Sequence, residues 1–260
     1  MQVQERIING FRLSPQQKRV WSLQQDSLAY CVQAAILLEG NLKKEILKSA
    51  LEQVVSRQEI LRTHFLKPTG VKTPVQVINE KNSLFWQEID LSHRDLQAQS
   101  NQVESLLGEA RLISTNFEEG LVLHSSLINL SANKHILLVN LPALCGDSYT
   151  IKILVQEISQ CYQACCQGIE LPDEEIVQYL QFSEWQNELL EDADAELGKK
   201  YWKKYNLSAL PKITLPFENK LLANSPKFHI GSYEFKLYAS WLTQIDAIAQ
   251  NTIHQLLISY

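Results

Sequence analysis

Hydrophobic and polar residues alternate with two different periods along this chain, and each change of period marks a predicted element. The apolar run Ala29–Leu38 predicts a buried strand, which a short turn sequence closes. From Leu42 to Val55 the apolar positions recur at helical spacing, which predicts an amphipathic helix packed on a sheet. Ser14 precedes Pro15 and stands three residues before Gln17, a pattern typical of a capped helix start.

The same two periods assign the following segments. Strands are predicted at Ile60–Leu66, Val75–Ile78, Leu84–Ile89, Leu121–Ile128, His135–Asn140 and Phe228–Leu237. Helices are predicted at Asp95–Leu112, Ser148–Cys166, from Pro172-Asp173 to Leu190, and at Glu196–Tyr205. We therefore expect an α+β protein in which helices lie over a largely antiparallel or mixed sheet.

The last residues predict two helices, and the second has no signal that ends it. Four apolar residues share one face of the first helix, namely Trp241, Leu242, Ile245 and Ile248. Asn251-Thr252 is typical of the cap of a second helix, Ile253–Tyr260, which stops without a Gly, a Pro or a polar exit. We therefore expect more protein after Tyr260.

Composition and charge narrow the classes of function. A formal net charge of -5 over 260 residues gives no support for a nucleic-acid or anionic-membrane partner. No apolar run approaches the roughly 20 residues that span a bilayer, and the N-terminus lacks the apolar core of a secretory signal. The five cysteines show neither disulfide-framework nor metal-ligand spacing, which favours reduced thiols and a cytoplasmic protein.

Four stretches of the sequence match motifs that occur together in one family. The first matches SxAQxRxW at Ser14, Gln17, Arg19 and Trp21, with Gln16 in place of alanine. The second matches RHExLRTxF, with Gln58 in place of histidine, at Arg57, Glu59, Leu61, Arg62, Thr63 and Phe65. The third matches YxDFAxW at Tyr179, Phe182 and Trp185, with Gln181 in place of aspartate. The fourth is the loop LPALCGD, Leu141–Asp147, between a predicted strand and helix. Together they resemble the condensation domains of nonribosomal peptide synthetases, in which this loop reads HHxxxDG.

The resemblance implies a fold, partners and a domain boundary. Condensation domains look like two chloramphenicol acetyltransferase-like lobes that meet in a V, with the second histidine of the motif at their junction. Residues 1–237 would be the N-terminal lobe, and residues 238–260 a connector and the first helix of a truncated C-terminal lobe. The implied partners are peptidyl or acyl carrier protein domains and an adenylation domain. A phosphopantetheine arm would come with the carrier, and no cofactor is expected to bind directly.

The loop lacks the side chains that the family uses for catalysis. Amide formation benefits from a proton acceptor whose pKa lies near neutrality, held close to the attacking amine. Leu141 and Pro142 stand in the two histidine positions, and an alignment shifted by one residue places Pro142 and Ala143 there. None of these side chains accepts a proton, so we expect no catalysis of amide bond formation.

The motif aspartate is also displaced. Gly146 stands in its position and Asp147 follows one residue late. The resemblance implies that this aspartate has a structural role in the family, as the partner of the arginine in LRTxF. That arginine is Arg62 here. Because an unpaired buried arginine is costly, we expect either that Asp147 reaches Arg62 through a shifted loop or that Arg62 faces water.

Other side chains near the loop are weak catalytic candidates. Cys145 has no histidine or lysine close in sequence to activate it, so a packed, inert thiol is expected. His124 and His135 lie on the two strands that lead toward the loop and are expected to be core or surface groups. Trp21 and Trp185 are expected to anchor the core.

Three functions therefore stay open. The first is an inactive condensation-like domain with an architectural or carrier-docking role. The second is an active acyltransferase that joins carrier-bound acyl and aminoacyl thioesters, with its missing lobe supplied by the following sequence. The third is a binding protein that uses the half-tunnel as a small-molecule cleft.

Overall fold

A four-stranded mixed sheet organises the part of the chain that the computed structural model describes, which comprises residues 10–24, 30–68, 70–80, 84–113, 117–118, 120–169, 176–205, 209–211 and 238–251. The strands are β1 (Phe11–Arg12), β2 (Cys31–Glu39), β3 (Thr63–Leu66), β4 (Val75–Ile78), β5 (Phe85–Asp90), β6 (His124–Ser131) and β7 (Lys134–Pro142). The helices are α1 (Pro15–Gln24), α2 (Lys44–Arg57), α3 (Leu96–Arg111), α4 (Ser148–Gln167), α5 (Tyr179–Glu191), α6 (Ala195–Lys203) and α7 (Ala239–Asn251).

The main sheet has the strand order β2-β7-β6-β5. β7 is antiparallel to both neighbours, and its ladder with β2 runs from Cys31 opposite Pro142 to Glu39 opposite Lys134. β5 and β6 are parallel, and α3 forms the crossover between them. The predicted mixed sheet with flanking helices is therefore confirmed.

The two faces of this sheet carry different helices. Leu137, Val139 and Leu141 of β7 belong to the main hydrophobic core, together with buried residues of α2 and α4. The intervening Asn140 points to the opposite face, because successive strand residues alternate. Its side-chain amide donates to the carbonyl oxygen of Ala110 in α3 at 2.8 Å. Both faces of β7 are thus covered. The loop Leu141–Asp147 therefore begins at the end of a fully packed strand.

A second sheet of three short strands, β1-β4-β3, lies beside α5. The Arg12 backbone N–H and Nε donate to the two carboxylate oxygens of Glu184 at 3.1 and 2.7 Å. Arg12 Nη1 also pairs with Glu191 at 2.6 Å. These charge-assisted hydrogen bonds fix β1 against α5.

Some predicted boundaries differ from the structure. The predicted strand Ile60–Leu66 is a 3₁₀ turn over Glu59–Arg62 followed by β3. Ile60 and Leu61 are both buried, which two neighbouring residues achieve more readily on a helical turn than on the alternating faces of a strand. The predicted helix Asp95–Leu112 is confirmed as α3, and Asp95 caps it by accepting from the Ala98 N–H at 2.8 Å.

The chain divides into two compact units, Met1–Lys227 and Phe228–Tyr260. The predicted boundary after residue 237 falls within the second unit. In that unit α7 confirms the first of the two predicted C-terminal helices, and Tyr238 packs edge-on against Trp241. The predicted strand Phe228–Leu237, the predicted helix Ile253–Tyr260 and the start at Pro172-Asp173 lie outside the described residues. No described helix has the length and hydropathy that a membrane crossing requires.

Candidate functional site

A cavity of about 730 Å³ opens beside the loop that follows β7. Its walls are α1, this loop, α4, the turn after α2 and the start of α5. The lining side chains are mostly apolar or carboxamide groups, namely Gln16, Gln17, Val20, Gln58, Ile60, Leu61, Ala143, Leu144, Cys145, Gly146, Asp147, Thr150, Ile153, Leu154, Glu157, Val177, Gln178, Tyr179 and Phe182. Five consecutive loop residues, 143–147, therefore face this space, whereas Leu141 and Pro142 do not line it.

The loop leaves the sheet through a tight turn. The Ala143 N–H donates to the Tyr30 carbonyl at 2.9 Å, and the Cys145 N–H donates to the Pro142 carbonyl at 2.8 Å. Leu141 is fully buried in the core. A Cβ on Gly146 would lie 2.8 Å from Leu141 Cδ1 and 2.8 Å from Thr150 Cγ2, closer than real Cβ atoms come. A larger residue at position 146 would therefore have to displace the Leu141 and Thr150 side chains.

Asp147 caps α4. Its carboxylate accepts the Thr150 N–H at 2.9 Å, and the Thr150 hydroxyl accepts the Asp147 N–H at 3.1 Å, which completes a capping box. The Thr150 N–H holds the pKa of Asp147 below its ordinary value. The carboxylate is thus committed to the helix end and is a weak base.

Gln17 connects α1 to this loop. Ser14 and Gln17 form the predicted reciprocal cap, with the Ser14 N–H on Gln17 Oε1 at 3.0 Å and the Gln17 N–H on Ser14 Oγ at 3.1 Å. The Gln17 amide then donates to the Leu144 carbonyl at 3.1 Å and to Gln76 Oε1 at 2.8 Å. The Tyr179 hydroxyl lies 2.8 Å from Ser14 Oγ, and burial raises the pKa of Tyr179.

The expected pair between Arg62 and Asp147 is wrong. Arg62 Nη1 donates to the Asn79 carbonyl at 2.7 Å, and Arg62 Nη2 lies 3.8 Å from Glu59 Oε1. The alternative that Arg62 faces water is also wrong, since only 18% of its side chain is exposed. The first expectation fails because the Asp147 carboxylate caps α4, and the second because the Asn79 carbonyl, just after β4, accepts from the largely buried guanidinium.

Neither histidine of the two leading strands reaches the cavity. His135 pairs in register with Leu38 at the start of β7, about 20 Å along the strand from Leu141. His124 lies opposite Asn140, so its ring is on the α3 face of the sheet, where it contacts the Phe85 ring at a tilt, with centroids 5.1 Å apart. Burial lowers the pKa of both imidazoles. No imidazole is among the described residues that line the cavity.

Cys145 lines the cavity wall but is almost fully buried, with 6% exposure. Burial strongly raises the pKa of its thiol, so the nucleophilic thiolate is scarce at neutral pH. Across the described part of the chain, no three His, Cys, Asp or Glu residues come together in a group that could hold a metal ion.

The motif aromatic residues have different environments. Trp21 packs against the core and meets Phe117 edge-on, with ring centroids 5.9 Å apart. Trp185 is 55% exposed, so its predicted role as a core anchor is wrong. α5 turns Leu180, Ser183 and Asn187 inward at helical spacing, which places Trp185 on the outer face. Arg19 is exposed on α1.

Three polar residues of the site were not predicted from the sequence. Gln76 is fully buried and bonds to Gln17. The local sequence pointed the other way, because the alternation of Val75, Gln76 and Val77 would turn the two valines inward. Gln178 bonds to the Arg57 carbonyl and the Glu59 N–H, and Glu157 accepts from Gln58 at 2.7 Å. These last contacts join segments about 100 residues apart, and no local pattern marks them.

Comparison with known proteins identifies the family. The model described as Condensation domain matches residues 8–259. Surfactin synthase subunit 2 of Bacillus subtilis (strain 168) is 26% identical over 253 residues, which cover 94% of this chain and 7% of that protein. Tyrocidine synthase 3 of Brevibacillus parabrevis is 29% identical over 211 residues, with coverages of 79% and 3%. The chain thus spans less than a tenth of these relatives.

Solved structures show the same fold. A doubly substituted starter condensation domain of the rhizomide synthetase superposes with a TM-score of 0.70 at 19% identity, covering 78% of this chain and 49% of that one. The first condensation domain of the calcium-dependent antibiotic synthetase, in complex with a substrate analogue, gives a TM-score of 0.66 at 17% identity, with coverages of 75% and 47%. The expected α+β, chloramphenicol acetyltransferase-like fold is confirmed, and the chain spans about half of each solved structure. By its match over residues 8–259, the chain belongs to the condensation domain family.

Proposed function

We propose that this chain is a condensation-like domain of a nonribosomal peptide or hybrid polyketide synthetase that is inactive in amide bond formation and serves as a structural or carrier-docking element. The observation that carries the proposal is the chemistry of the loop wall. Residues 143–147 present aliphatic side chains, a buried thiol and a carboxylate committed to a helix cap. None of these groups accepts a proton readily from an attacking amine at neutral pH.

Two features favour the shifted alignment of the catalytic motif. Asp147 directly precedes α4 and caps it, as an acidic residue at a helix start does. Of the three residues 141–143, only Ala143 lines the cavity. This alignment places Pro142 and Ala143 in the two histidine positions, so a methyl group faces the space where the base would act.

The proposed partners are carrier and adenylation domains of the same synthetase. The phosphopantetheine arm would arrive on a carrier domain as part of the substrate. The carboxamides of Gln16 and Gln178 and the apolar side chains of Val177 and Phe182 line the cavity and suit the amide and methylene groups of such an arm. All five cysteines are free, which supports a cytoplasmic location.

The decisive experiment uses the complete synthetase polypeptide with its donor and acceptor carrier domains loaded. We expect no amide product above the non-enzymatic rate by mass spectrometry of the carrier-bound species, together with carrier binding measured separately by calorimetry. The control carries Glu157→Gln, because Glu157 is the lining carboxylate whose pKa burial raises. Product formation by the unmodified protein that Glu157→Gln abolishes would establish the active acyltransferase instead.

A further inference from the structure

The charge of the cavity is uniformly negative although its walls are largely apolar. Asp147 and Glu157 are the ionisable carboxylates among its lining residues, and that lining includes no lysine, arginine or histidine. Cations are stabilised in such a space, because both the carboxylates and the faces of aromatic rings attract positive charge. Tyr179 and Phe182 supply two such rings, with centroids 6.1 Å apart.

The two carboxylates are not equivalent. They are ten residues apart along α4 and its cap, which corresponds to about 15 Å. Asp147 Oδ1 accepts hydrogen bonds from the Thr150 N–H at 2.9 Å and from the Thr150 hydroxyl at 3.0 Å. Glu157 uses Oε1 to accept from Gln58, and no hydrogen bond to its Oε2 occurs within the described part of the structure. Asp147 is exposed and caps α4, whereas Glu157 is half-buried in the cavity wall. A charge pair with Glu157 is therefore less screened by water than one with Asp147, which makes Glu157 the carboxylate better placed to bind a cationic ligand.

The surroundings of Glu157 define the shape of that ligand. Burial raises the pKa of this carboxyl, and the Gln58 hydrogen bond and the charge of Arg57 oppose that rise only in part. Arg57 does not line the cavity. Four aliphatic side chains contribute an apolar part of the wall, namely Ile60, Leu61, Ile153 and Leu154. A cavity of about 730 Å³ lies within the range that accommodates a compact organic molecule.

We propose that this cavity binds a small molecule in which a primary ammonium group is attached to an apolar group. Glu157 is the counter-ion of the ammonium, and the apolar wall packs against the rest of the molecule. The ammonium donates to the free Oε2 of Glu157, and Gln58 holds the other oxygen and so orients the carboxylate. This inference goes beyond the proposed docking role, because it requires neither a carrier domain nor a thioester.

Three probes of matched shape test the proposal on the unmodified 260-residue chain: 2-phenylethylammonium, 2-phenylethanol and 3-phenylpropanoate. We expect the ammonium to bind at least about tenfold more tightly than the alcohol by calorimetry or ligand-observed NMR, and the carboxylate to bind weakest. Equal binding of ammonium and alcohol, or no saturable binding of any probe, would overturn the proposal. This comparison needs no variant, so a misfolded mutant cannot obscure it.

Variants then locate the site. Glu157→Gln keeps an oxygen acceptor for Gln58 and removes the charge, so the preference for ammonium over alcohol should vanish. Glu104→Gln makes the same change at an exposed position of α3 and should leave the preference intact. Retention of the preference by Glu157→Gln, with a native circular dichroism spectrum, contradicts the assignment. Carrier binding is measured separately, so either proposal can fail without the other.

Discussion

The side-chain amide of Gln17 donates a hydrogen bond to the carbonyl oxygen of Leu144 at 3.1 Å, across 127 residues of sequence. Gln17 is 3% exposed, so this bond and the one to Gln76 satisfy an amide that water does not reach. The geometry of the loop wall thus depends on a helix that the chain completes long before the loop itself.

Gln17→Ala is expected to destabilise the protein by about 1–3 kcal/mol, because it removes the donor to the Leu144 carbonyl and to the buried Oε1 of Gln76. Urea unfolding followed by circular dichroism measures the change in the free energy of unfolding. The matched control is Gln16→Ala, at an exposed neighbour on the same helix. Equal losses in the two variants would show that the buried bond contributes nothing.

Asp147→Ala is expected to cost about 1 kcal/mol, the typical value of an N-cap. Because the folded-state pKa of Asp147 is depressed, its contribution is present above the unfolded pKa of about 3.9 and is lost as the pH falls through the lower folded value. Asp147→Asn should therefore flatten the acid limb of the stability curve, measured by thermal unfolding from neutral to acid pH. A variant curve parallel to the wild-type curve would contradict the cap.

Cys145 and Cys166 should differ in how fast a thiol reagent labels them in the native protein. Burial raises the pKa of Cys145, whereas Cys166 is exposed on α4. At neutral pH iodoacetamide is expected to alkylate Cys166 within the native state and Cys145 only after denaturation. Peptide mass spectrometry reads each site. Rapid native labelling of Cys145 would reopen its assignment as a nucleophile.

The two motif tryptophans should differ in their contribution to stability. Trp21→Ala removes a ring that packs on Phe117 and the core and should cost about 3 kcal/mol. Trp185→Ala alters a side chain that is 55% exposed and should stay within about 1 kcal/mol of wild type. Denaturant midpoints at unchanged m-value give both numbers, and a larger loss at Trp185 would show that it packs in solution.

Alanine at Gly146 and at Gly108 should act in opposite directions. A methyl group at Gly146 collides with Leu141 and Thr150 at 2.8 Å, so Gly146→Ala should lower the melting temperature. Gly108 lies on the open face of α3 with no atom near its missing Cβ, and alanine there gains up to about 1 kcal/mol of helix propensity. Differential scanning fluorimetry checks both signs; stabilisation by Gly146→Ala would mean that the loop relaxes freely.

The sequence predicted those parts of the structure that depend on local pattern. The α3 helix, the strand before the loop, the helix after it and the reciprocal cap of Ser14 and Gln17 follow from spacing and capping chemistry alone. Arg62 and Trp185 were misassigned because their environments depend on contacts between distant segments. Arg62 meets the Asn79 carbonyl, and the environment of Trp185 follows from which face α5 turns inward. Glu157 was not identified because nothing local distinguishes it from a solvated acid on an amphipathic helix.

The strand order of the main sheet has a consequence for biosynthesis. β2 is one of the two edge strands of this sheet and hydrogen bonds to β7 across about a hundred residues of intervening chain. On the ribosome, β2 emerges early and its backbone donors stay unpaired until Pro142 has been translated. A nascent chain interrupted before that point carries an open, apolar edge, and such fragments should recruit chaperones or aggregate.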